Sequence, residues 1–458
     1  MPELLDGFDG SIKMGRSRTR RRRTSVPRES TSPTTALGKG ILTRMATPGT
    51  PLSFSDVLRL RPVRRLWIAQ IVSVFGDFLA VFAIIAVVTF KLHGTATQVA
   101  MVLVSFMAPL AIVSPLAGVF VDRWHLKRTM IASDLIRGVL VLALVFVHDL
   151  YVIYVIVFTM SVVSAFFVPA QSVAVRTLVP MAGLMAVNGL MSQAQQGSLI
   201  VAPSVAGGLV QLVGANSCFL YDSFSFFFSA ALVMTLTIDR QALRTESSAV
   251  LDSMRQGFGF IFKHSTISFV ILSMTAGMFA MRCFGALLSI YVRDVLHSTS
   301  AVFGVLNTLI GVGMIIGTQL LTRFARHIPQ QNLVVYGLGG MGIAVLTTAA
   351  FGTMGSTAAG MLGLGLCSSA IFITATTLIQ HETPHELLGR VMSCLMSLVA
   401  GSQVISMFVA GPVAEKIGIP NLYYGSAAML VGIGVVGYFK LPKAEKAEAE
   451  KAESATTG

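Results

Sequence analysis

Long apolar stretches separated by short polar segments run along the chain from Leu66 to Phe439. The apolar positions lack the strict alternation of barrel strands and are typical of buried helices. A helix needs roughly 20 apolar residues to cross a hydrocarbon core of about 30 Å. The pattern therefore predicts about twelve membrane-spanning helices and an all-α integral membrane protein.

One longer connection divides the predicted spans into two groups of six. The spans are residues 66–91, 98–121, 129–147, 151–172, 186–213, 217–238, 266–291, 301–324, 332–352, 355–379, 388–411 and 421–440. We therefore expect an N-terminal half at 61–238, a linker at 239–265 and a C-terminal half at 266–440. Within the linker, the segment SMRQGFGFIFKH is predicted to form a helix on the membrane surface.

The two ends of the chain have a different composition. Residues 1–60 combine an arginine cluster, Arg16 to Arg23, with many Ser, Thr and Pro residues and no apolar periodicity. This segment is predicted to be a disordered cytoplasmic tail that contacts anionic lipid. A transit peptide is the alternative, although Glu3, Asp6 and Asp9 argue against it. Residues 441–458, rich in Lys, Glu and Ala, are predicted to be a second cytoplasmic tail.

Composition agrees with a membrane protein, since 54% of the residues are hydrophobic and 12% are charged. The net charge of +13 is explained by topology and not by a nucleic-acid partner. Basic residues concentrate in the loops after the even-numbered spans, so both termini are predicted to be cytoplasmic. On the opposite side only Arg293 and Lys416 stand out, with Lys91 at a span end. We expect a multi-pass protein of the plasma membrane.

The four cysteines all fall inside predicted spans and are far apart in sequence. We interpret them as small core residues, with no disulfide, metal site or cofactor implied. They are Cys218, Cys283, Cys367 and Cys394.

The most specific motif is a short loop between the second and third spans, in the stretch 114–138. It has the spacing Gly-x3-Asp-Arg-x3-Lys-Arg, formed by Gly118, Asp122, Arg123, Lys127 and Arg128. Glycine permits close approach of two helices, and Asp can accept hydrogen bonds from backbone N–H groups at a neighbouring helix end. The basic side chains can form ion pairs with carboxylates. Such contacts hold one arrangement of helices and break in another. The alternative is a basic loop with an incidental Asp.

This loop resembles the signature of the major facilitator superfamily, at the position where that family carries it. The sequence departs from the pattern at His125, where many members have glycine. A weaker copy, GTQLLTRFAR, occurs in the second half with Thr322 in place of the acidic residue.

Further motifs resemble the enterobactin-exporter and macrolide-efflux branch of that superfamily. They are SVFGDFLA, SDLIRG, FFVPAQSVAVRTLVP and QHETPHELLGRVMS, and the similarity extends from Leu60 to Lys440. The resemblance implies twelve helices in two pseudo-symmetric six-helix bundles. It also implies alternating access driven by the proton gradient, in a chain expected to act as a monomer.

The fifth span contains GSLIVAPSVAGG, which is similar to the antiporter signature of facilitator exporters. Its characteristic residues here are Gly197, Pro203, Gly207 and Gly208, and Ala202 replaces a glycine that many members carry. Proline can bend the helix and glycine permits close packing. Together with the loop, this motif favours export over uptake.

Three ionisable residues lie within otherwise apolar spans: Asp77, Asp222 and Arg282. Each is costly in a membrane and should face the bundle interior or a wet cavity. The two acids are candidates for proton coupling, Asp77 first, with a structural hydrogen-bonding role as the alternative. Arg282 is predicted either to pair with an acid or to attract an anionic group of a substrate.

Asp134 and Arg137 are three residues apart on one predicted helix. This spacing places them on the same helix face, and we expect a structural or gating ion pair.

The function favoured by these features is export of amphipathic drugs or secondary metabolites in exchange for protons. A siderophore or another endogenous product is the alternative cargo. A receptor or an enzyme is a distant alternative, because the only dense polar group is His381, Glu382, His385 and Glu386, in a loop that matches the family. ATP-driven transport is disfavoured because LGKGIL, around Lys39, lacks the phosphate-loop spacing.

Overall fold

The computed structural model describes residues 52–121, 124–237, 250–324 and 328–440. Within these ranges the chain forms fourteen α-helices and no β-strand. The helices are α1 (Phe54–Arg59), α2 (Arg61–Ala86), α3 (Ala96–Val121), α4 (Leu126–Ala143), α5 (Leu150–Leu178), α6 (Leu184–Leu212), α7 (Asn216–Met234), α8 (Val250–Lys263), α9 (Ser265–Asp294), α10 (Ser300–Phe324), α11 (Gln330–Phe351), α12 (Met354–Glu382), α13 (His385–Ile417) and α14 (Ile419–Lys440). A π-helical turn, Val87–Lys91, continues α2, and a 3₁₀ turn, Met181–Gly183, precedes α6.

Twelve long helices, α2–α7 and α9–α14, correspond to the predicted spans. Ten of them are long and apolar enough to cross a membrane by length and composition. The other two are more polar: α4 carries Lys127, Arg128, Asp134 and Arg137, and α6 is rich in Ser and Gln. The main differences from the predicted bounds are at the ends of α5 and α13, which continue to Leu178 and Ile417.

Polar side chains satisfy free backbone groups where several of these helices begin. The Asp149 carboxylate accepts from the backbone N–H groups of Tyr151 and Val152 at the start of α5. Thr353 and Ser356 form a capping box at the start of α12. These short polar signals end one apolar run and begin the next, which explains why the spans could be located from sequence.

The segment 52–60 differs from the prediction, which included it in the disordered tail. Ser53 caps α1, and the backbone N–H of Leu52 donates to the Ala182 carbonyl at 3.0 Å. The side chains of Leu52 and Val57 are buried and lie against Gly183. The cap, the hydrogen bond and these apolar contacts together hold α1 beside α6. Residues 1–51 lie outside the described residues.

The helix predicted within the linker is present as α8 and packs against α13, and its position on the membrane surface stays a prediction. A Cβ atom on Gly257 would lie 2.9 Å from the Arg390 carbonyl oxygen, so the two backbones are close. The Arg390 guanidinium also donates to the Gln256 side-chain carbonyl. The helix is thus attached to the C-terminal half. Residues 238–249 of the linker, and the tail at 441–458, are not among the described residues.

The two halves repeat one packing pattern. In the N-terminal half α2 packs on α6 and α7, α3 packs on α5, and α4 packs on α5 and α7. The corresponding helices of the C-terminal half make the same contacts: α9 packs on α13 and α14, α10 on α12, and α11 on α12 and α14. The predicted pair of pseudo-symmetric six-helix bundles is therefore what the helices form.

The same tight turn follows the first long helix of each half. His93, with φ of 50°, and His297, with φ of 46°, are the non-glycine residues with positive φ in the described part of the chain. They lie in the related segments Leu-His-Gly-Thr and Leu-His-Ser-Thr. In each, the N–H after the histidine, from Gly94 or Ser298, donates to a carbonyl in the last turn of the preceding helix. We call this end of the molecule the distal end, and the end where α2 begins and α14 ends the proximal end.

In the described part of the chain, no disulfide joins the four cysteines. Cys218, Cys283 and Cys394 are buried and Cys367 is half-buried, each within a helix.

Candidate functional site

A cavity of about 310 Å³ lies between the two halves, near the middle of the helices. Helices α2, α3 and α6 line it from one half and α9, α10 and α13 from the other. Its wall is mainly aromatic, aliphatic and methionine side chains. These include Phe78, Phe82, Phe106, Phe303, Met281 and Met314. Such a wall suits the lipophilic body of a small molecule.

A few polar side chains interrupt this apolar wall. Gln196 and Asn307 contribute amides, Thr318 contributes a hydroxyl, and Arg282 contributes a guanidinium. Arg282 is the one charged side chain among the described residues that line the cavity. An apolar chamber with a few placed polar groups is the usual form of a small-molecule site.

Arg282 does not lie with the predicted acids. Its Nε donates to the Gln403 side-chain carbonyl on α13 at 2.7 Å, and no described carboxylate forms an ion pair with it. None of its nitrogens is among the fully buried groups that lack a partner. Arg282 lines the cavity, and its Nη groups donate to no described residue.

A buried ionic network lies inside the N-terminal half. The predicted pair between Asp134 and Arg137 is present, with 2.5 Å between Oδ1 and Nη2. The second carboxylate oxygen of Asp134 accepts from the Ser229 hydroxyl on α7 at 2.7 Å. The guanidinium lies between two rings, 4.6 Å from the centroid of Phe167 and 4.3 Å from that of Phe226. Salt bridge and cation–π contacts together fix Arg137 in one orientation.

Both proton-coupling candidates border this network. An Asp77 oxygen lies 3.9 Å from Arg137 Nη1. Asp222 accepts from the Ser225 hydroxyl at 3.2 Å through Oδ1, whereas its Oδ2 is buried without a partner in the described part of the molecule. A Cβ on Gly76 would lie 3.1 Å from the Asp222 Cα, so α2 and α7 touch beside Asp77.

With Asp77 and Asp222 included, the network combines three carboxyl groups with the guanidinium of Arg137. Because uncompensated charge is costly in a membrane interior, gain or loss of a proton by one carboxyl group changes the interactions of all the others. The Asp77 side chain is 27% exposed, and the Asp134 side chain is 0% exposed. Asp77 is thus the more accessible of these two carboxylates to water. It does not line the cavity, but the next residue, Phe78, does.

The two halves are joined by hydrogen bonds at the distal end. Arg293, at the end of α9, donates from Nη1 to the carbonyl oxygens of Thr89 at 2.8 Å and Gly94 at 2.9 Å. Its other nitrogens contact the Asp294 carboxylate at 2.5 and 2.9 Å. Arg293 and Thr89 are 204 residues apart, the same separation as the two histidine turns, so they occupy equivalent positions in the two halves.

Two further contacts strengthen the distal connection. The Glu415 carboxylate on α13 accepts from the backbone N–H of Thr97 on α3 at 2.9 Å. The Thr299 hydroxyl donates to the Gln211 side-chain carbonyl at 3.1 Å. The described residues show hydrogen bonds between the halves in this distal half of the helices and none in the proximal half.

Part of the antiporter-like motif forms a close helix contact. A Cβ on Gly207 of α6 would lie 2.5 Å from the Ser300 carbonyl oxygen, and one on Gly304 of α10 would collide with the Pro203 carbonyl. The two backbones therefore touch, and Pro203 also lines the cavity. The two other motif glycines, Gly197 and Gly208, have open space beside them.

The loop motif is only partly visible. Gly118 lies near the end of α3, while Asp122 and Arg123 lie outside the described residues. Lys127 is half-buried and Arg128 is exposed in the first turn of α4, at the proximal end. Neither forms an ion pair with a described carboxylate. The predicted role of this loop as a latch, whose contacts hold one arrangement of the helices and break in another, stays a prediction.

The polar residues considered as a possible enzyme site lie at the junction of α12 and α13. Among them His381, Glu382 and Glu386 are exposed. Within the described ranges, no three His, Cys, Asp or Glu side chains are grouped so that they could hold a metal ion.

A family model described as "Transmembrane secretion effector" matches residues 53–456. The chain belongs to this family of major facilitator transporters. Macrolide efflux protein A of Streptococcus pyogenes is 25% identical over 384 residues, covering 81% of this chain and 94% of that protein. The uncharacterized MFS-type transporter YfiS of Bacillus subtilis (strain 168) is 24% identical over 384 residues, covering 80% of this chain and 90% of that protein.

Among solved structures, the nucleoside transporter NupG is similar, with a TM-score of 0.69 at 13% identity. The match covers 83% of this chain and all of that chain (100%), and it concerns the fold alone. The predicted membership of the major facilitator superfamily and its macrolide-efflux branch is confirmed. The transporter is a multi-pass membrane protein that acts on small molecules and is not an enzyme.

Proposed function

We propose that this transporter is a secondary active exporter of amphipathic small molecules, working by alternating access in exchange for protons. The proposal rests on the apolar cavity between the two halves and on the hydrogen bonds that join the halves at the distal end. In such an arrangement, substrate enters from the proximal end and leaves once the distal contacts separate.

The proximal end is assigned to the cytoplasm of a plasma-membrane protein. Most basic residues of the loops, including Lys127, Arg128, Arg323 and Arg390, lie at this end, as the positive-inside rule requires for cytoplasmic loops. Both termini are then cytoplasmic. One chain encloses the cavity by itself, which supports a monomer.

Export is favoured over uptake by two features. A relative that matches over most of its length is named a macrolide efflux protein. The contact of Pro203 and Gly207 with α10 gives the antiporter-like motif a physical role, because it lets α6 and α10 meet closely at the distal side of the cavity. The aromatic and methionine wall suits bulky lipophilic drugs or secondary metabolites.

Proton exchange is assigned to the network around Arg137, with Asp77 as the primary proton carrier. A proton on Asp77 removes its attraction to the guanidinium 3.9 Å away, which alters the contact between α2 and α4. Asp222 supports the exchange because it lies against Gly76, immediately before Asp77. One charge moved through the membrane potential changes the free energy by roughly 2.3 kcal/mol per 100 mV, enough to bias two states.

Replacement of Asp77 by Asn tests this assignment. The amide keeps the size of the side chain but cannot exchange a proton, so proteoliposomes should lose gradient-driven transport while substrate binding persists. Asp149→Asn is the matched control, because Asp149 is exposed and Asn also caps helices. Gradient-driven transport at the normal rate in Asp77→Asn would remove Asp77 from the mechanism.

A siderophore or another endogenous product is the second candidate cargo. The polar groups in the cavity wall, Gln196, Asn307 and Arg282, favour a molecule with several hydrogen-bonding groups. A transport screen that includes both lipophilic drugs and iron-chelating metabolites distinguishes the two.

A further inference from the structure

We propose that the cavity selects amphipathic molecules that carry a negatively charged group, and that Arg282 binds this group. The proposal rests on the proposed function, because it takes the cavity as the substrate site. The proposed function leaves the charge of the substrate open, and this inference assigns it.

The guanidinium of Arg282 is held in a fixed orientation with one edge free. Its Nε is anchored by the Gln403 side chain at 2.7 Å, so α9 and α13 together position it. No described residue accepts from the Nη groups, and Arg282 lines the cavity, so these donors are available to a molecule bound there. A guanidinium with two parallel free donors matches the two oxygens of a carboxylate or a similar anion.

No described residue that lines the cavity carries a negative charge. Asp77, Asp134 and Asp222 all lie in the network of the N-terminal half and not among the lining residues. Gln403 is neutral and hydrogen-bonds Arg282 without compensating its charge. A cationic substrate would therefore meet a like charge. An anionic substrate would meet the opposite charge of Arg282 and supply the counter-ion that the site lacks.

A lone cation in a membrane interior also needs an explanation. Ionisable side chains in transmembrane helices are costly and are kept where they pair with a charge or face a wet pathway. Arg137 is paired with Asp134, but Arg282 has no such partner in the described part of the chain. An incoming anion completes the pair, and the surrounding Phe82, Phe303 and Met281 side chains contact its apolar body.

Three probes of equal skeleton and different charge test this selectivity: 2-naphthoate, 2-naphthylmethanol and 2-naphthylmethylammonium. Binding of each tritiated probe to the purified full-length protein is measured by equilibrium dialysis, without a proton gradient. Because a hydrogen bond to a charged group is worth roughly 10- to 100-fold in affinity, naphthoate should bind the wild type about 10- to 100-fold more tightly than the alcohol. The ammonium probe should bind most weakly.

Substitutions of Arg282 assign the selectivity to this side chain. Arg282→Gln should lose the preference for naphthoate while still binding the alcohol, which also shows that the variant folds. Arg282→Lys should keep a preference for the anion, since the positive charge remains. Arg64→Gln, at an exposed arginine of α2 outside the cavity, should behave as the wild type.

Three results would overturn the proposal: tighter binding of the ammonium probe than of naphthoate, an unchanged preference in Arg282→Gln, or no saturable binding of naphthoate to the wild type. Transport is measured separately in proteoliposomes. Gradient-driven export of cations would refute this inference and leave the proposed function intact. Anion-selective binding without any gradient-driven transport would refute the proposed function alone.

Discussion

Removal of the Arg293 side chain should open the distal end of the molecule. In Arg293→Gln the two hydrogen bonds from Nη1 to Thr89 and Gly94, at 2.8 and 2.9 Å, are lost between the halves. A hydrogen bond to a charged group contributes roughly 1.5–3 kcal/mol. The side chain is 20% exposed, and water replaces part of the lost bonding, so we expect a combined effect of about 2 kcal/mol.

Such a change shifts the ratio of distal-open to distal-closed molecules about 30-fold. A distal-open state populated at about 1% would rise to about 25%. Pulsed electron–electron resonance between spin labels at His148 and Thr353 would measure this directly. Both are exposed residues at the distal end, one in each half. The experiment uses a background in which the four native cysteines are replaced.

Lys416→Gln is the matched control for this experiment. Lys416 is also a basic residue at the distal end, but it is exposed and forms no hydrogen bond or ion pair with a described residue. The long-distance population should increase in Arg293→Gln and not in the control. Identical distance distributions in the two variants would show that Arg293 does not hold the halves together.

Three further predictions concern other contacts. Gly304→Leu should prevent closure of the distal end, because the new side chain would collide with the Pro203 carbonyl. The spin-label distance between His148 and Thr353 should increase in this variant, and an unchanged distance would contradict the prediction. Asp122→Ala should slow transport in proteoliposomes and leave substrate binding largely intact, and normal transport would exclude a latch role for that loop. Arg137→Gln should lower the free energy of unfolding by roughly 3–5 kcal/mol, because Asp134 loses its ion-pair partner and stays buried. Thermal unfolding measures this loss, and the double variant with Asp134→Asn should recover part of the stability.

The helices could be predicted from sequence because each depends on local information. A run of about 20 apolar residues and a polar turn define a span without knowledge of its neighbours. The pair Asp134–Arg137 was predictable for the same reason, since a spacing of three places both on one helix face. Order at residues 52–60 was missed because it depends on contacts of Leu52 and Val57 with the segment around Gly183.

The candidate site depends on contacts between distant segments, so sequence showed its members but not their grouping. Asp77 and Asp222 were recognised by their cost in a membrane, but only the packing of α2, α4 and α7 brings Asp77 to Arg137 and Asp222 to Gly76, the residue before Asp77. Arg293 stood out as an exception to the charge distribution, without an indication that it joins the halves. The partner of Arg282 was missed because Gln403, on a different helix, is 121 residues away.

Gradient-dependent export in inverted membrane vesicles tests the proposed mechanism most directly. Vesicles are energised to an acidic interior, and each compound of a panel of macrolides, aryl anions and iron chelators is added while a pH-sensitive dye reports the proton gradient. We predict that at least one compound accumulates in the vesicles, releases protons, and ceases to accumulate when an ionophore collapses the gradient. Accumulation that is unaffected by the ionophore would contradict proton exchange and indicate facilitated diffusion or another energy source.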